Sequence, residues 1–291
     1  LFSFPYLGLE ALTGNISKFD VIGGRVYIRP LAFMDNSLFG RLQLGVIGVF
    51  DRDPLLYTGS PYKTCTTDSI YVVGADITLP LIQSPAFSLT PFGEGAYEMN
   101  KAMGAIAGIR GRAFGLVSYR AQFRYLQDGF IPSYFDANYD IYRADRFVFI
   151  ETNPAKNDFT PGWLASLGLD LFKSSLSFGV TLDAPFRELP TTATDNPADY
   201  PHVKGSLSLG RGLIPNVDIT ARYEKFFLGK KSNDVIKDLI DLEDSYIGMT
   251  VSYKAGTAVV SMDYAYIWNP TKNSGKGAFD VVSSLSVGFE L

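Results

Sequence analysis

The chain has 291 residues, of which 46% are hydrophobic, 14% aromatic and 19% charged, and its formal net charge is −4. The charged fraction lies below the roughly 25% of an average soluble domain, and the weak negative charge gives no indication of nucleic-acid binding. The sequence contains no run of the ~18 to 20 apolar residues that a membrane helix needs, and the single Cys65 excludes a disulfide within the chain. Abundant aromatic residues and 28 glycines favour strands and tight turns over helices.

Apolar and polar residues alternate along most of the chain, as expected for strands whose successive side chains point to opposite faces. The clearest example is residues 203–223, where Val203 and Leu207 fall on one face, Lys204 falls on the other, and Pro215 marks a turn between two such runs. Roughly 14 segments of this kind are predicted, most of them near the 9–11 residues that cross a bilayer at a tilt. In chain order they are residues 1–12, 21–33, 41–50, 71–79, 87–99, 104–112, 117–125, 163–171, 176–183, 203–210, 217–223, 247–254, 258–268 and 279–291.

The connections between these segments alternate in length. Short turns are predicted near Asp35, Ser84, Gly115, Lys173, Pro215 and Gly256. Longer polar loops are predicted at 51–69, 127–160, 188–202, 229–244 and 269–277, and the fourth of these contains a short helical pattern at 235–242. Only the connection at 99–104 departs from the alternation. If the last strand ends on the side of the short turns, every long loop falls at the opposite end of the strands.

In strand number, strand length and loop rhythm, the whole sequence resembles bacterial outer-membrane porins of the 14-stranded monomeric size class. The resemblance is architectural and includes no specific motif. It implies an all-β fold in which residues 1–291 form a single domain, a transmembrane antiparallel up-and-down β-barrel of about 14 strands (12–16), in a bacterial outer membrane. Aromatic residues near strand ends fit the girdle that such barrels place at the membrane surface; they are Tyr125, Trp163, Tyr223, Tyr264, Tyr266 and Trp268.

The alternative fold is a soluble all-β sandwich or propeller whose apolar faces pack together. Two features disfavour it. A sandwich of this size should not separate short and long connections so regularly, and its outward faces should contain more Lys and Glu than these Ser-, Thr- and Gly-rich faces.

Charged residues on the polar faces are expected to face a lumen, because an Arg or Lys against lipid costs about 2–4 kcal/mol at the midplane. Neighbouring strands would then form a basic wall opposite an acidic one and bias ion selectivity. In the alternative, these groups pair with each other and fill the interior. The predicted pore-lining residues are Arg25, Arg29, Arg41, Arg110, Arg112, Arg120, Arg124, Asp170, Asp183, Asp218 and Arg222.

The segment 127–160 is the predicted constriction or plug, because loops of this length without regular structure are usually functional. Its predicted constriction residues are Phe130, Tyr134, Phe135, Asp136 and Asp140. Two alternatives remain. The segment could be an exposed loop that binds a partner, or Phe130, Ile131, Phe135 and Phe147 could line an apolar pocket.

Enzyme chemistry is not expected. A Ser-His-Asp set would have to use the single His202, which is interpreted as a solvent-exposed loop residue, and the chain lacks the ligands of a classical zinc site. No cofactor is expected. The sequence therefore predicts a passive channel for small hydrophilic solutes or ions, with outer-membrane lipid and those solutes as partners, besides an unidentified periplasmic or surface protein. The alternatives are a sealed barrel that acts as an adhesin or scaffold, and a transporter of hydrophobic compounds similar to fatty-acid transporters.

Overall fold

The computed structural model of the chain describes residues 2–13, 19–34, 38–56, 68–136, 139–172, 175–192, 197–210, 212–232 and 234–289. Within these ranges the chain is all-β, with 16 strands in one sheet. The hydrogen-bonded order of 15 strands follows the sequence, so each strand lies beside its chain neighbours. The pairs with a defined register, such as Gln43–Asp51 against Ile70–Thr78, are antiparallel. The predicted all-β, antiparallel up-and-down class is therefore confirmed.

The first of two compact units contains Leu1–Ser84, Ser88–Arg110 and Gln122–Pro161. Its elements are β1 (Phe2–Ser3), β2 (Leu7–Thr13), β3 (Val21–Ile28), a 3-10 helix (Leu38–Arg41), β4 (Gln43–Asp51), β5 (Ile70–Thr78), β6 (Ile82–Gln83), most of β7 (Phe87–Glu98) and of β8 (Met103–Ala113), and helix α1 (Tyr139–Thr152). Strand β9 (Val117–Gln127) and strand β10 (Phe159–Leu171) contribute residues to both units.

The second unit contains Pro85–Phe87, Gly111–Ala121 and Gly162–Leu291. Besides its share of β8, β9 and β10, its elements are β11 (Leu176–Pro185), a 3-10 helix (Pro197–Asp199), β12 (His202–Leu209), β13 (Val217–Lys225), helix α2 (Val235–Ile240), β14 (Ser245–Ala255), β15 (Ala258–Asn269), helix α3 (Lys272–Gly275) and β16 (Ala278–Phe289). None of the helices in the described ranges is long and apolar enough to cross a bilayer.

In both units one face of the sheet, here called the apolar face, exposes hydrophobic side chains. In the first unit, Val26 pairs with Val46, and these side chains are 47% and 64% exposed. In the second unit, Met262 pairs with Leu285, and these side chains are 42% and 70% exposed. Alternation along each strand and register between strands thus combine to give continuous apolar rows.

The opposite face, here called the polar face, is equally continuous. One row of the second unit runs through Ser177, Ser208, Thr220, Thr250, Asp263 and Ser284, each paired with the next on adjacent strands. Hydroxyl groups also bond across strands, as between Ser252 and Ser261 (2.7 Å). The polar face is therefore lined mainly by small neutral hydroxyls, with charges at intervals.

Short turns join hairpins at one end of the strands, as the loop rhythm predicted. Between β8 and β9, Leu116 N–H donates to the Ala113 carbonyl (3.2 Å), and the two residues between them, Phe114 and Gly115, have φ angles of 55° and 69°. Positive φ at both central positions is the type I′ geometry, whose twist matches that of paired strands. The predicted turns at Asp35 and Lys173 lie outside the described residues, as does Cys65. The connection between β3 and β4, residues 29–42, is longer than the short turn expected there.

Three sequence expectations need correction. The segment predicted at 1–12 contains two strands, β1 and β2, because the chain folds back and Phe2 pairs with Leu9. Arg41 was expected at the start of a strand but ends a 3-10 helix, since the connection after β3 extends to residue 42. The segment 127–160 was expected to lack regular structure but contains α1. The predicted helical pattern at 235–242 is confirmed as α2.

The two faces of β15 should respond oppositely to a positive charge. Met262→Arg places a guanidinium on the apolar face, whereas the matched control Ser261→Arg places it on the polar face, two residues from Asp263. If the apolar face contacts lipid, Met262→Arg should lower the free energy of unfolding in phospholipid vesicles by about 2–4 kcal/mol and Ser261→Arg by much less. Urea titration of the refolded protein measures both, and equal losses would contradict the assignment of the faces.

Candidate functional site

The polar face of the first unit contains paired charges. Arg25 on β3 makes two contacts with Asp76 on β5, Nε to Oδ2 (2.8 Å) and Nη2 to Oδ1 (2.6 Å), and a longer one with Glu10 (3.4 Å). Its guanidinium also lies 4.7 Å from the centre of the Tyr27 ring. A two-point Arg–carboxylate pair holds its planar groups in one orientation, so Arg25 is a fixed feature of this face.

The polar face of the second unit contains a second cross-strand pair. Arg112 Nη2 lies 3.0 Å from Asp170 Oδ2, and Ser177 Oγ donates to the other oxygen of Asp170 (2.8 Å). Farther along the sheet, Arg222 donates to Thr250 Oγ1 (3.2 Å). Arg112 and Asp170 were expected on opposite walls but contact each other, because β8 and β10 both flank β9 in the sheet order. For these two groups the structure shows pairing.

His202 begins β12, and its imidazole lies between two carboxylates. Nδ1 is 3.1 Å from Asp183 Oδ1 and Nε2 is 2.9 Å from Glu224 Oε1, while Lys204 Nζ contacts the same Glu224 oxygen (2.7 Å). The ring stacks on Phe226 at 4.6 Å. The expectation of a solvent-exposed loop histidine is wrong, because register brings His202 opposite Asp183. A catalytic histidine would turn one nitrogen toward a nucleophile, whereas here both nitrogens meet carboxylates.

Helix α1 packs on the polar face of the first unit. Tyr139, Phe147 and Ile150 are buried, with Phe147 0% and Ile150 1% exposed, and they form one cluster with Val21 and Ile70 at the ends of β3 and β5. Spacings of eight and three residues place these side chains on one side of a helix. The helix ends shortly before Pro154, which cannot continue it. The segment 127–160 thus covers the polar face at the long-loop end of these strands.

A buried ion cluster fixes α1 to the strand ends. Arg143, 2% exposed, extends from the same side of α1 and contacts Asp51 through Nε (2.7 Å) and Nη2 (2.5 Å) and Asp20 through Nη1 (2.7 Å). Tyr139 Oη donates to Asp51 Oδ2 (2.5 Å). Burial alone would raise the pKa of the Asp20 carboxyl, but hydrogen bonds from Arg143 and backbone amides outweigh it, so the pKa lies below its usual value. A buried charge requires such partners.

The rest of the segment is tied to β7 and β9. The Glu98 carboxylate, 0% exposed, accepts the backbone N–H of Ile131 (3.0 Å). The Asn100 side-chain amide donates to the carbonyls of Gly129 (2.9 Å) and Asn153 (3.0 Å). The Gln127 side chain accepts Met103 N–H (3.0 Å) and donates to the Lys156 carbonyl (2.8 Å). Hydrogen bonds between side chains and backbone groups therefore fix both ends of the segment 127–160 to the neighbouring strands.

The predicted constriction residues belong to this packed segment. The Phe130 ring lies over β8, where a Cβ on Gly104 would approach it to 2.6 Å. Tyr134 is 2% exposed, and the Phe135 ring packs at a tilt against Tyr139, with 4.6 Å between the ring centres. Asp136 pairs with Arg146 (3.0 Å). Asp140 lies exposed in the first turn of α1, where the positive end of the helix dipole stabilises a carboxylate.

The remaining predicted pore-lining residues occupy several environments. Arg29, just after β3, donates to the Phe4 carbonyl (3.0 Å), and Arg41 is exposed in its 3-10 helix. Arg110 lies 5.4 Å from the centre of the Phe92 ring. Arg120 and Arg124 lie on β9, and Asp218 lies on β13 in the polar row with Ser252. That these residues line a pore stays a prediction.

The sequence analysis missed the residues that hold α1, namely Arg143, Asp20, Asp51 and Glu98. A signal was present, because Tyr139, Arg143, Phe147 and Ile150 recur at the spacing of a helix. That spacing differs from the two-residue alternation by which the strands were predicted. The structure also shows Phe147 as a core residue where an apolar pocket was considered. Among the described residues, no group of three or more His, Cys, Asp or Glu is placed to hold a metal ion.

No protein-family model and no curated protein sequence matches the chain. Among solved structures it is similar to the outer membrane protein Omp33 of Acinetobacter baumannii, with 8% identity and a TM-score of 0.39 over 93% of this chain and 91% of that one. It is also similar to the NanC porin (9% identity, TM-score 0.34, 98% of each chain) and to CdiB of Acinetobacter baumannii (10%, 0.42, 92% of this chain and 50% of that one). With such low identities and TM-scores, the functional proposal rests on the geometry of the chain itself.

Removing the central cation should release α1 from the sheet. Arg143→Met leaves the carboxylates of Asp20 and Asp51 buried without their partner, a loss of roughly 3–5 kcal/mol. Backbone amides of residues 139–152 should then exchange hydrogen faster by two or more orders of magnitude, measured by mass spectrometry. The control is Lys156→Met, which breaks only the exposed contact with Asp128 and should leave exchange in α1 nearly unchanged. Unchanged protection in Arg143→Met would show that the ion cluster does not hold the helix.

The same cluster predicts a pH dependence. Because the pKa of Asp20 is lowered in the folded state, its stabilising contribution is complete above the unfolded pKa of about 3.9. It is lost as the pH falls through the lower, folded pKa. The difference in hydrogen-exchange protection of α1 between the wild type and Asp20→Asn, corrected for intrinsic rates, should therefore be constant between pH 7 and about 5 and shrink below about 4. Comparing the two proteins removes the contribution of other titrating groups around α1. A difference that shrinks between pH 5 and 7 would contradict this assignment.

Proposed function

We propose that this chain is an outer-membrane β-barrel that acts as a passive channel for small hydrophilic solutes or ions. The observation that supports it is the division of the sheet into an exposed apolar face and a hydroxyl-lined polar face. In this proposal the apolar face contacts lipid, the polar face lines a water-filled path, and no covalent step occurs.

The exposed apolar face supports a lipid environment. Side chains such as Val46, Leu167 and Val281 are more than half exposed and lie within strands. Exposure of such apolar side chains to water is unfavourable. Burying such surface is worth roughly 25 cal/mol per Å², and a bilayer provides the burial without a second protein layer. Strands between the first and the last of the order have a neighbour on both sides, and this pairing satisfies their backbone donors and acceptors, as hydrocarbon requires of any spanning structure.

The polar face supports a hydrophilic path. In the second unit its rows combine Ser and Thr hydroxyls with Arg222, Asp218 and Asp263, groups that hydrogen-bond to water or solutes without a specific cage. Several charges are already paired, as in Arg112–Asp170, so the net field is smaller than two unpaired walls would produce. Such a lining favours weak selection by size and charge over tight binding.

Helix α1 is the proposed constriction. It packs on the polar face of the first unit, on the side where solute would pass, and Arg143 and Phe147 are buried against strand ends. A segment fixed in this way would reduce the open cross-section without the need to move. The same tight packing favours one second candidate, a sealed barrel that serves as a scaffold or adhesin. It disfavours a hydrophobic transporter, since the apolar side chains of the segment fill a core.

Conductance in a planar bilayer separates these functions. The wild-type chain should give steady stepwise conductance, and a variant with residues 137–152 replaced by a short Gly-Ser linker should give larger steps, because the polar face of the first unit is uncovered. The control variant replaces residues 272–276, which contain the short helix α3 in another long loop, and should conduct as the wild type does. Insertion without conductance, followed by conductance after the α1 replacement, would identify a sealed barrel. No conductance in either form would overturn the channel proposal.

A further inference from the structure

Helix α2 exposes an apolar surface that the channel proposal does not use. The helix lies in the loop between β13 and β14, at the long-loop end of the strands. Ile236 and Ile240 are 78% and 82% exposed, and Leu239 and Leu242 are partly exposed beside them. Large aliphatic side chains scattered singly on a surface are ordinary, but three on one short helix, with a fourth two residues after its end, indicate an interaction surface.

The opposite side of α2 is bound to its own loop. Asp238, 5% exposed, accepts the backbone N–H groups of Gly229 (2.9 Å) and Lys231 (3.1 Å) and the hydroxyl of Ser232 (2.6 Å). Asp234 caps the helix by accepting the N–H of Ile236 (3.0 Å). The pKa of Asp238 is lowered by these hydrogen bonds, although burial alone would raise it. These contacts fix the rotation of the helix, so its apolar side is directed away from the loop.

A tyrosine contact places α2 beside the apolar face of the sheet. Tyr223 pairs in register with Ile247, and Ile247 with Tyr266, so Tyr223 belongs to the apolar row, two residues before the end of β13. Its hydroxyl donates to the Leu239 carbonyl in α2 (2.9 Å). The exposed surface of the helix is therefore continuous with the apolar face of the second unit, at the height of its long-loop end.

We propose that α2 is an interfacial helix that inserts Ile236 and Ile240 into the lipid bilayer at the membrane surface. The inference rests on the proposed contact of the apolar face with the membrane. It adds a membrane contact by the loop that contains α2. A helix of six residues is about 9 Å long, too short to span, but it can lie in the plane of the interface with its apolar side among acyl chains. Tyr223 belongs to the aromatic girdle and connects the helix to it.

The exposed side of α2 is continuous with the apolar face of the second unit, and this favours lipid over a second protein as its partner. A protein partner that covered Ile236 and Ile240 would also have to displace lipid from the neighbouring row of Tyr223 and Tyr266. The bilayer covers both surfaces together. The two occupants predict different environments for a probe on α2, so they can be separated.

A fluorescent probe on single cysteines tests the inference. In a Cys65→Ser background, Ile236→Cys, Lys237→Cys and Met262→Cys are each labelled with a nitrobenzoxadiazole group and refolded into phosphatidylcholine vesicles with lipids that carry nitroxides at shallow or deep acyl positions. Met262 reports the apolar face, and Lys237 is the matched control on the same helix. Position 236 should show blue-shifted emission and be quenched more by shallow than by deep nitroxides, while position 237 should resemble a probe in water. Ile240→Cys repeats the measurement one turn later.

The outcomes separate this inference from the function on which it rests. If position 262 is quenched but positions 236 and 240 emit as in water, the interfacial helix is overturned and the membrane position of the sheet is retained. If position 262 is not quenched either, the membrane proposal itself fails. If positions 236 and 240 are shielded from nitroxide lipids and self-quench in a concentration-dependent way, a second copy of the chain covers α2, which also overturns the lipid assignment.

Discussion

The two-residue period of a strand is the constraint on which the rest of this molecule depends. Register pairs Ala221 with Met249 on the apolar face and Arg222 with Gly248 on the polar face. A slip of one residue would exchange every pair and place Arg222 among the apolar side chains. Each antiparallel pair with a short turn therefore transmits the same assignment of faces to the next strand. The position of each charge on a strand discussed above follows from that transmission.

The polar face creates a second requirement at the long-loop end. There the strands end in Asp51 and Glu98, whose carboxyl groups need hydrogen-bond partners once the segment 127–160 covers them. Arg143 and Tyr139 supply those partners to Asp51, and the Ile131 N–H does so for Glu98. Because the carboxylates belong to strand ends and the donors to the segment 127–160, the packing position of the segment is fixed by chemistry as well as by shape. Apolar burial of Phe147 alone would allow neighbouring positions.

The sequence predicted the strands because each carries its own evidence, the alternation of adjacent residues. It predicted α2 from a local helical pattern for the same reason. It could not predict that Arg143 meets Asp20 and Asp51, since nothing local relates these positions, nor that His202 lies between Asp183 and Glu224. Helix α1 was missed because the surrounding alternation favoured a strand period, and its helical face includes a charged residue where an apolar one is normally expected. Arg41 was misplaced because the boundary between a turn and a strand depends on cross-strand bonds rather than on residue type.

The contacts of Arg143 also bear on how the chain acquires its structure. Consecutive strands pair through hairpins, so most strand contacts form between segments close in sequence, and a low contact order of this kind favours stepwise growth. Arg143 reaches Asp51 across 92 positions and Asp20 across 123. Closing loops of that length costs entropy that strand pairing must first offset. We therefore expect α1 to pack after the strands have paired, so that a chain arrested before this step would have complete hairpins and an uncovered polar face.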